Sequence, residues 1–232
     1  MSLQLKFKLP IKLYIKDPQD SNYGKRLLTN AIILIDELGL ESFTFKKLGN
    51  RMNSSEVSIY RYFENKHLLL LYLNCWYWEW VSYLIDIENT NVTDVRSRLK
   101  KAIHCMIYAS KESKLTEYIN ESLLFQIIMK ESSKTYHISD VDEENKYGLF
   151  LPYKELVAKV SNIILENNRD FKYGKSLSST IFEMICNQIF YAEHLPKLTN
   201  LNKKNTYKDL EIMVNDIVFG AIEYKKSSDP IS

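Results

Sequence analysis

Apolar residues return every three or four positions over most of this chain, between short polar breaks. That period marks amphipathic helices. Residues 1–16 differ: Leu3, Leu5, Phe7 and Leu9 alternate with Gln4, Lys6 and Lys8, an extended arm broken at Pro10. The arm either packs along the body, pairs with a partner chain or trails as a basic tail. The helical period starts at about Asn22 and runs to Leu38, with Leu27, Leu28, Ala31, Leu34, Ile35 and Leu38 on one stripe and Gly39 as the stop. Thr44 opens a short helix with Phe45 and Leu48 inward; the chain breaks at Asn53-Ser54, and Ser55 caps a third helix, Glu56 to Phe63, burying Ile59 and Phe63. Longer helices are predicted over about 67–88, 94–111 (capped by Thr93 or Asp94), 114–131, 153–167, 175–195 and 206–225. Residues 132–148 are polar and acidic and read as a long loop, and the tail 227–232 as disordered. The fold class is all-α, with about nine helices. The chain divides into an arm (1–19), a helix-turn-helix head (20–66) and a C-terminal body (67–232).

The segment from Leu68 to Ile87 has 16 apolar or aromatic residues in 20, enough to suggest a membrane span. Glu79, Ser82 and Asp86 nevertheless form a polar stripe. Glu79 at mid-bilayer costs roughly 2.5–3.5 kcal/mol. A long, mostly buried helix of a water-soluble protein is preferred.

Scarce glycine (6) and proline (5) agree with helices. Net charge is only +2, but residues 1–70 carry 11 Lys/Arg against 7 Asp/Glu, and the remainder 20 against 22. A basic N-terminal part on a near-neutral remainder suits a small nucleic-acid-binding head, although ordinary fluctuation gives such a split equally well. Cys75, Cys105 and Cys186 are far apart and form no CxxC, so reduced thiols in the cytoplasm are expected. Lysines interrupt the N-terminal apolar residues, so no signal peptide is read there.

Two short helices across a tight turn, the second with a polar outer face, have the geometry of a helix-turn-helix. Residues 24–71 resemble the DNA-binding domain of the tetracycline-repressor (TetR) family of bacterial transcription regulators. The resemblance is carried by Ala31, Leu34-Ile35, Gly39, Thr44, Lys47-Leu48-Gly49, Ser55, Ile59-Tyr60, Tyr62-Phe63, Lys66 and Leu69, above all by the run IYRYFENKHLLL. It covers about a fifth of the chain, and the later helices carry no motif.

The resemblance implies that Thr44 meets a phosphate with its hydroxyl or nearby N–H groups, that Lys46 adds charge there, and that Tyr60, Tyr62 and Lys66 reach the DNA backbone. Ser55, Glu56, Val57, Ser58 and Arg61 would face base edges: Arg61 suits guanine, Val57 a thymine methyl, and Glu56 a cytosine amino group. The bland reading of Tyr60 and Tyr62 is packing between helices. Two departures matter. Asn53-Ser54 replaces the usual Gly-Val, though asparagine tolerates a left-handed backbone. Glu56 puts negative charge on the reading face and would weaken non-specific binding.

In the body, Trp76, Tyr77, Trp80, Tyr83, His104, Tyr108, Phe125 and Met129 either line a pocket for a small, largely apolar or aromatic effector or are plain core. Ile181, Met184, Ile185 and Gln188 on the eighth helix and Leu210, Met213, Val214, Ile217 and Ala221 on the ninth either form a two-fold four-helix interface or are buried within one subunit. His67, His104, His137 and His194 do not cluster, so no metal or other cofactor is expected, and no catalytic motif is present. The expectation is a homodimeric, ligand-responsive repressor, not an enzyme, with a palindromic operator duplex and a small-molecule effector as partners and no membrane. The alternative is an interaction protein of the same fold that has lost DNA binding.

Overall fold

The computed structural model describes residues 5–111, 113, 115–131 and 133–224. Leu3 and Gln4 of the arm, residues 114 and 132, and the segment from 225 onward lie outside the described residues. Among those described there are eleven α-helices and no strand: α1 (Asn22–Ser42), α2 (Phe45–Arg51), α3 (Glu56–Tyr60), α4 (Lys66–Asn89), α5 (Val95–Tyr108), α6 (Glu121–Glu131), α7 (Ser133–Tyr136), α8 (Val141–Lys146), α9 (Leu151–Asn167), α10 (Gly174–His194) and α11 (Thr206–Glu223). The chain is all-α. Among the described residues no helix is long and apolar enough to cross a membrane.

The helices group into two compact units, residues up to Tyr83 with Ala109–Leu156, and Leu84–Tyr108 with the chain from Val157. In the first unit, Ser21 caps α1 by accepting the Gly24 N–H. Gly24 is required there, because a Cβ would sit 2.3 Å from the Pro18 carbonyl oxygen. Leu27, Leu28, Ala31, Ile32 and Ile35 form the buried stripe of α1. Leu38, expected on that stripe, is exposed. Gly39 turns the backbone to φ 72°, and Leu40 takes the buried place instead. That turn frees the Leu40 N–H, which donates to Glu131 Oε1 on α6 at 3.1 Å. Helix α6 lies along α1, with a further bond from Lys130 to Asp36 (3.1 Å), and just before α6 the Tyr118 carbonyl accepts from Thr29 Oγ1 (2.7 Å).

Helix α6 starts at Glu121 and not near 114. Thr116 donates to the Ile119 carbonyl and to the Glu121 carboxylate, and Asn120 Oδ1 accepts the Leu123 N–H. These local side-chain bonds give the backbone an alternative to helix before residue 121. The expected loop over 132–148 contains α7 and α8. Helix α8 buries no residue, so no apolar period announced it.

The arm is packed in the first unit. Phe7, Leu9 and Leu13 are buried, and the Phe7 ring meets Trp76 edge-on at 5.2 Å. The extended backbone pairs with a side chain instead of a strand. Gln19 Oε1 accepts the Phe7 N–H (3.0 Å), and Gln19 Nε2 donates to the Phe7 carbonyl (2.8 Å). Further along, the Ile15 N–H donates to the Tyr62 carbonyl at 2.8 Å.

In the second unit, α5 packs on α10 and α11 through Leu99, Ala102, Ile103, Ile181, Ile185, Leu210 and Val214, all buried. Asp94 caps α5 by accepting the Ser97 N–H, and Asn168 Nδ2 closes on the Ile222 carbonyl at the end of α11.

Gln19→Ala leaves the Phe7 N–H and C=O without partners. A loss of about 1–3 kcal/mol is expected, read by urea unfolding, with faster proteolytic cleavage in residues 5–16.

Candidate nucleic-acid interface

Helices α2 and α3 meet across Met52–Ser55. Thr44 caps α2, its hydroxyl oxygen accepting the Lys47 N–H at 3.2 Å. Asn53 adopts φ 51°, the left-handed conformation that asparagine accepts more readily than most residues. The Ser54 N–H then returns to the Gly49 carbonyl at 2.9 Å. Gly49 lets the two helices touch, since a Cβ there would lie 2.8 Å from the Ser54 carbonyl oxygen. Ser55, expected to cap α3, makes no side-chain cap bond; its hydroxyl pairs with Ser58 Oγ at 3.1 Å. Helix α3 ends at Tyr60, short of the expected Phe63, and the chain continues in a turn in which the Tyr62 and Phe63 N–H groups both reach the Ile59 carbonyl.

Ile59 is fully buried and anchors α3, so the opposite face points outward. Ser55, Glu56, Val57, Tyr60 and Arg61 are exposed and Ser58 is half-buried. At 62% exposed, Val57 is a branched apolar side chain set in water on a short helix. Such a face can meet a groove floor or another protein. Thr44 and Lys46 are exposed at the start of α2. The Tyr60 ring, half exposed, rests edge-on against Phe45 at 5.0 Å.

Two of the residues assigned to backbone contact are engaged inside the fold. Tyr62 is buried, stacked on Tyr23 (5.7 Å) and bonded through its hydroxyl to Ser21 Oγ (2.8 Å). The Lys66 ammonium donates to the carbonyls of Leu40 (2.9 Å), Glu41 (3.2 Å) and Phe43 (3.4 Å), closing the end of α1. Both position the head, and nothing in their sequence spacing separates that role from phosphate contact.

The aromatic residues of the body fall into two sets. In the first unit Trp76, Tyr77, Trp80 and Phe125 are buried, Tyr83 and Met129 half-buried. Trp76 stacks on Trp80 (6.2 Å), Trp80 on Tyr83 (5.9 Å) and Tyr77 on Phe125 (5.8 Å). In the second unit His104 stacks on Tyr108 at 4.3 Å and lies 3.0 Å from Glu211 Oε1. Burial raises the thiols of Cys75 and Cys105, the latter to about 12, so both stay protonated and poorly nucleophilic.

Sequence reasoning missed an open cleft of about 780 Å³ in the first unit, lined by Lys12, Lys66, His67, Asp140, Glu144 and Tyr147 among others. His67 Nε2 meets Glu144 at 2.6 Å across it. Its far wall is α8, which gave no apolar signal.

On the interface residues, Ile181, Ile185, Leu210 and Val214 are buried within the subunit. Met184, Gln188, Met213 and Ala221 are half-buried, and Ile217 is 46% exposed.

No protein-family model matches the chain, and no curated protein sequence matches it. Solved structures do. AibR in complex with isovaleryl coenzyme A and operator DNA aligns with a TM-score of 0.56 at 12% identity, over 81% of this chain and 95% of that one. Apo AibR gives 0.53 at 11% identity, over 82% and 96%. The superantigen PfiT gives 0.55 at 15% identity, over 85% and 97%. The chain therefore shares its fold with these proteins, in keeping with the TetR-like architecture that residues 24–71 imply.

Gly49→Ala forces a methyl against the Ser54 carbonyl and is expected to cost about 1–3 kcal/mol, measured by chemical denaturation. Lys66→Ala leaves the end of α1 without its ammonium. A lower melting temperature, equivalent to about 1–2 kcal/mol, is expected from calorimetry.

Proposed function

We propose that the chain is a sequence-specific DNA-binding transcriptional regulator. More specifically, we take it to be a homodimeric repressor that a small, largely apolar or aromatic effector releases from its operator. The observation that carries this reading is the outward face of α3, with Ser55, Glu56, Val57, Tyr60 and Arg61 set in solvent by the buried Ile59. The TetR resemblance of residues 24–71 supports it, as does the shared fold with AibR, whose crystal structure holds operator DNA and isovaleryl coenzyme A. In this reading residues 20–66 form the DNA-binding head, Thr44, Lys46 and Tyr60 meet phosphates, and Tyr62 and Lys66 hold the head in shape. Ser55, Glu56, Val57, Ser58 and Arg61 read bases.

A dimer sets two α3 helices about 34–36 Å apart, one turn of duplex. The half-buried and exposed side chains of Met184, Gln188, Met213, Ile217 and Ala221 are the surface offered to a second copy. An effector among Trp76, Tyr77, Trp80, Tyr83, Phe125 and Met129 would act on α4, the helix that starts at the head with Lys66, and so shift the balance between two dimer states. The protein would work in the bacterial cytoplasm.

A second reading has a specific observation behind it. PfiT, described as a superantigen, has the same fold, and Glu56 stands on the exposed face of α3. A TetR-fold interaction protein without specific DNA binding is therefore the alternative.

A gel-shift assay with duplex DNA from upstream of the chain's own gene tests the choice. Salt-sensitive, sequence-specific binding is expected; its absence at every duplex tried would favour the alternative. Arg61→Ala should relax base preference at one position and cost about 1–3 kcal/mol there. Glu56→Ala should strengthen binding to non-specific duplex, and no change would place Glu56 away from DNA.

A further inference from the structure

We propose that the N-terminal arm is a second DNA-contact element, with Lys16 as its phosphate-binding side chain. This rests on the DNA-binding reading above.

Four observations lead here. First, the arm is fixed in register beside the recognition helix, because the Ile15 N–H donates to the carbonyl of Tyr62 at 2.8 Å. Tyr62 directly follows Arg61, so the backbone bond sets Lys16 close to the C-terminal end of the exposed α3 face. Second, the Lys16 ammonium lies 5.6 Å from the centroid of the Tyr62 ring, while the residue as a whole stays exposed. At that distance and exposure the ring contact is weak, about 0.5–1 kcal/mol at most. A phosphate can therefore draw the ammonium away. Third, two of the other three arm cations are already committed, leaving Lys8, further from Tyr62 in sequence, and Lys16. Lys6 is paired with Asp20 and lies 3.8 Å from Asp17, and Lys12 sits 3.6 Å over the Tyr147 ring. Fourth, Ile15 is 64% exposed next to Lys16. An apolar side chain beside a cation matches the sugar and phosphate of a duplex backbone, which carry no base information.

The nearby acids do not cancel the charge. Asp17 accepts from the Gln19 N–H and the Tyr72 hydroxyl, and Asp20 is held by Lys6. Glu64, exposed between α3 and α4, is the remaining negative group close in sequence to Tyr62. The Tyr62 backbone thus follows directly on the recognition helix and holds the arm through its carbonyl. Duplex DNA meeting Arg61 would find Lys16 on the adjoining backbone.

The experiment measures binding of the full chain to duplexes that the protein itself selects from a random-sequence pool, over a range of salt. Lys16→Gln is expected to flatten the slope of log affinity against log salt by about 0.9, one phosphate's worth, with base preference unchanged. Lys16→Arg should keep the wild-type slope. Ile15→Pro, which removes the N–H that fixes the arm to Tyr62, should reproduce the Lys16→Gln slope. An unchanged slope for Lys16→Gln, with wild type binding normally, overturns the proposal and leaves the DNA-binding reading standing. An equal loss in Lys16→Gln and Lys16→Arg also overturns it, because shape and not charge would then be responsible. If the wild type selects no duplex at all, the DNA-binding reading itself falls, and this proposal with it.

Discussion

One buried ring ties the N-terminal part of the molecule together. Tyr62 is held by Ser21 through its hydroxyl, by Tyr23 through stacking and by Ile15 through its carbonyl. Those partners come from the arm, from the cap of α1 and from α1 itself. A tyrosine can do this because it combines a large apolar face with a hydrogen-bonding tip, and both are satisfied here. The outward set of α3 depends on it as much as on Ile59. With its three partners all lying far earlier in the chain, Tyr62 fixes an arrangement that neither helix propensity nor the short α3 could hold alone.

The shared fold with AibR and PfiT leaves function to the site. One of those proteins was crystallised with operator DNA and the other is described as a superantigen, so the same helices serve different ends. What this chain adds is a particular outer face on α3 and a basic arm beside it. In the DNA-binding reading, Glu56 opposes phosphate and Arg61 is the side chain best suited to a base edge.

Much of the fold was legible because burial repeats with the helical period. The stripes of α1, α5, α10 and α11, the break at Gly39, a kink and not the expected end of α1, and the left-handed turn at Asn53 are all visible as residue types at set spacings. Much of what was not legible depends on side chains meeting across long separations in sequence. Nothing near Gln19 announces that its amide serves Phe7, and nothing near Lys66 announces that it closes α1. Helix α8 buries nothing, so the cleft it borders left no trace. For the site, the spacing singled out α3 and its exposed residues, but could not tell Tyr60, which faces out, from Tyr62, which faces in.

The bond between the Leu40 N–H and Glu131 joins residues 91 positions apart, and Thr29 reaches the Tyr118 carbonyl over 89. Both lie on α1, the first long helix of the head. During synthesis, then, α1 leaves the ribosome long before the segment that covers it. Until α6 emerges, the kink after Gly39 has an unmet amide and one flank of α1 is bare. The head looks modular on paper but matures late, and a chain cut after residue 66 lacks the surface on which α1 settles.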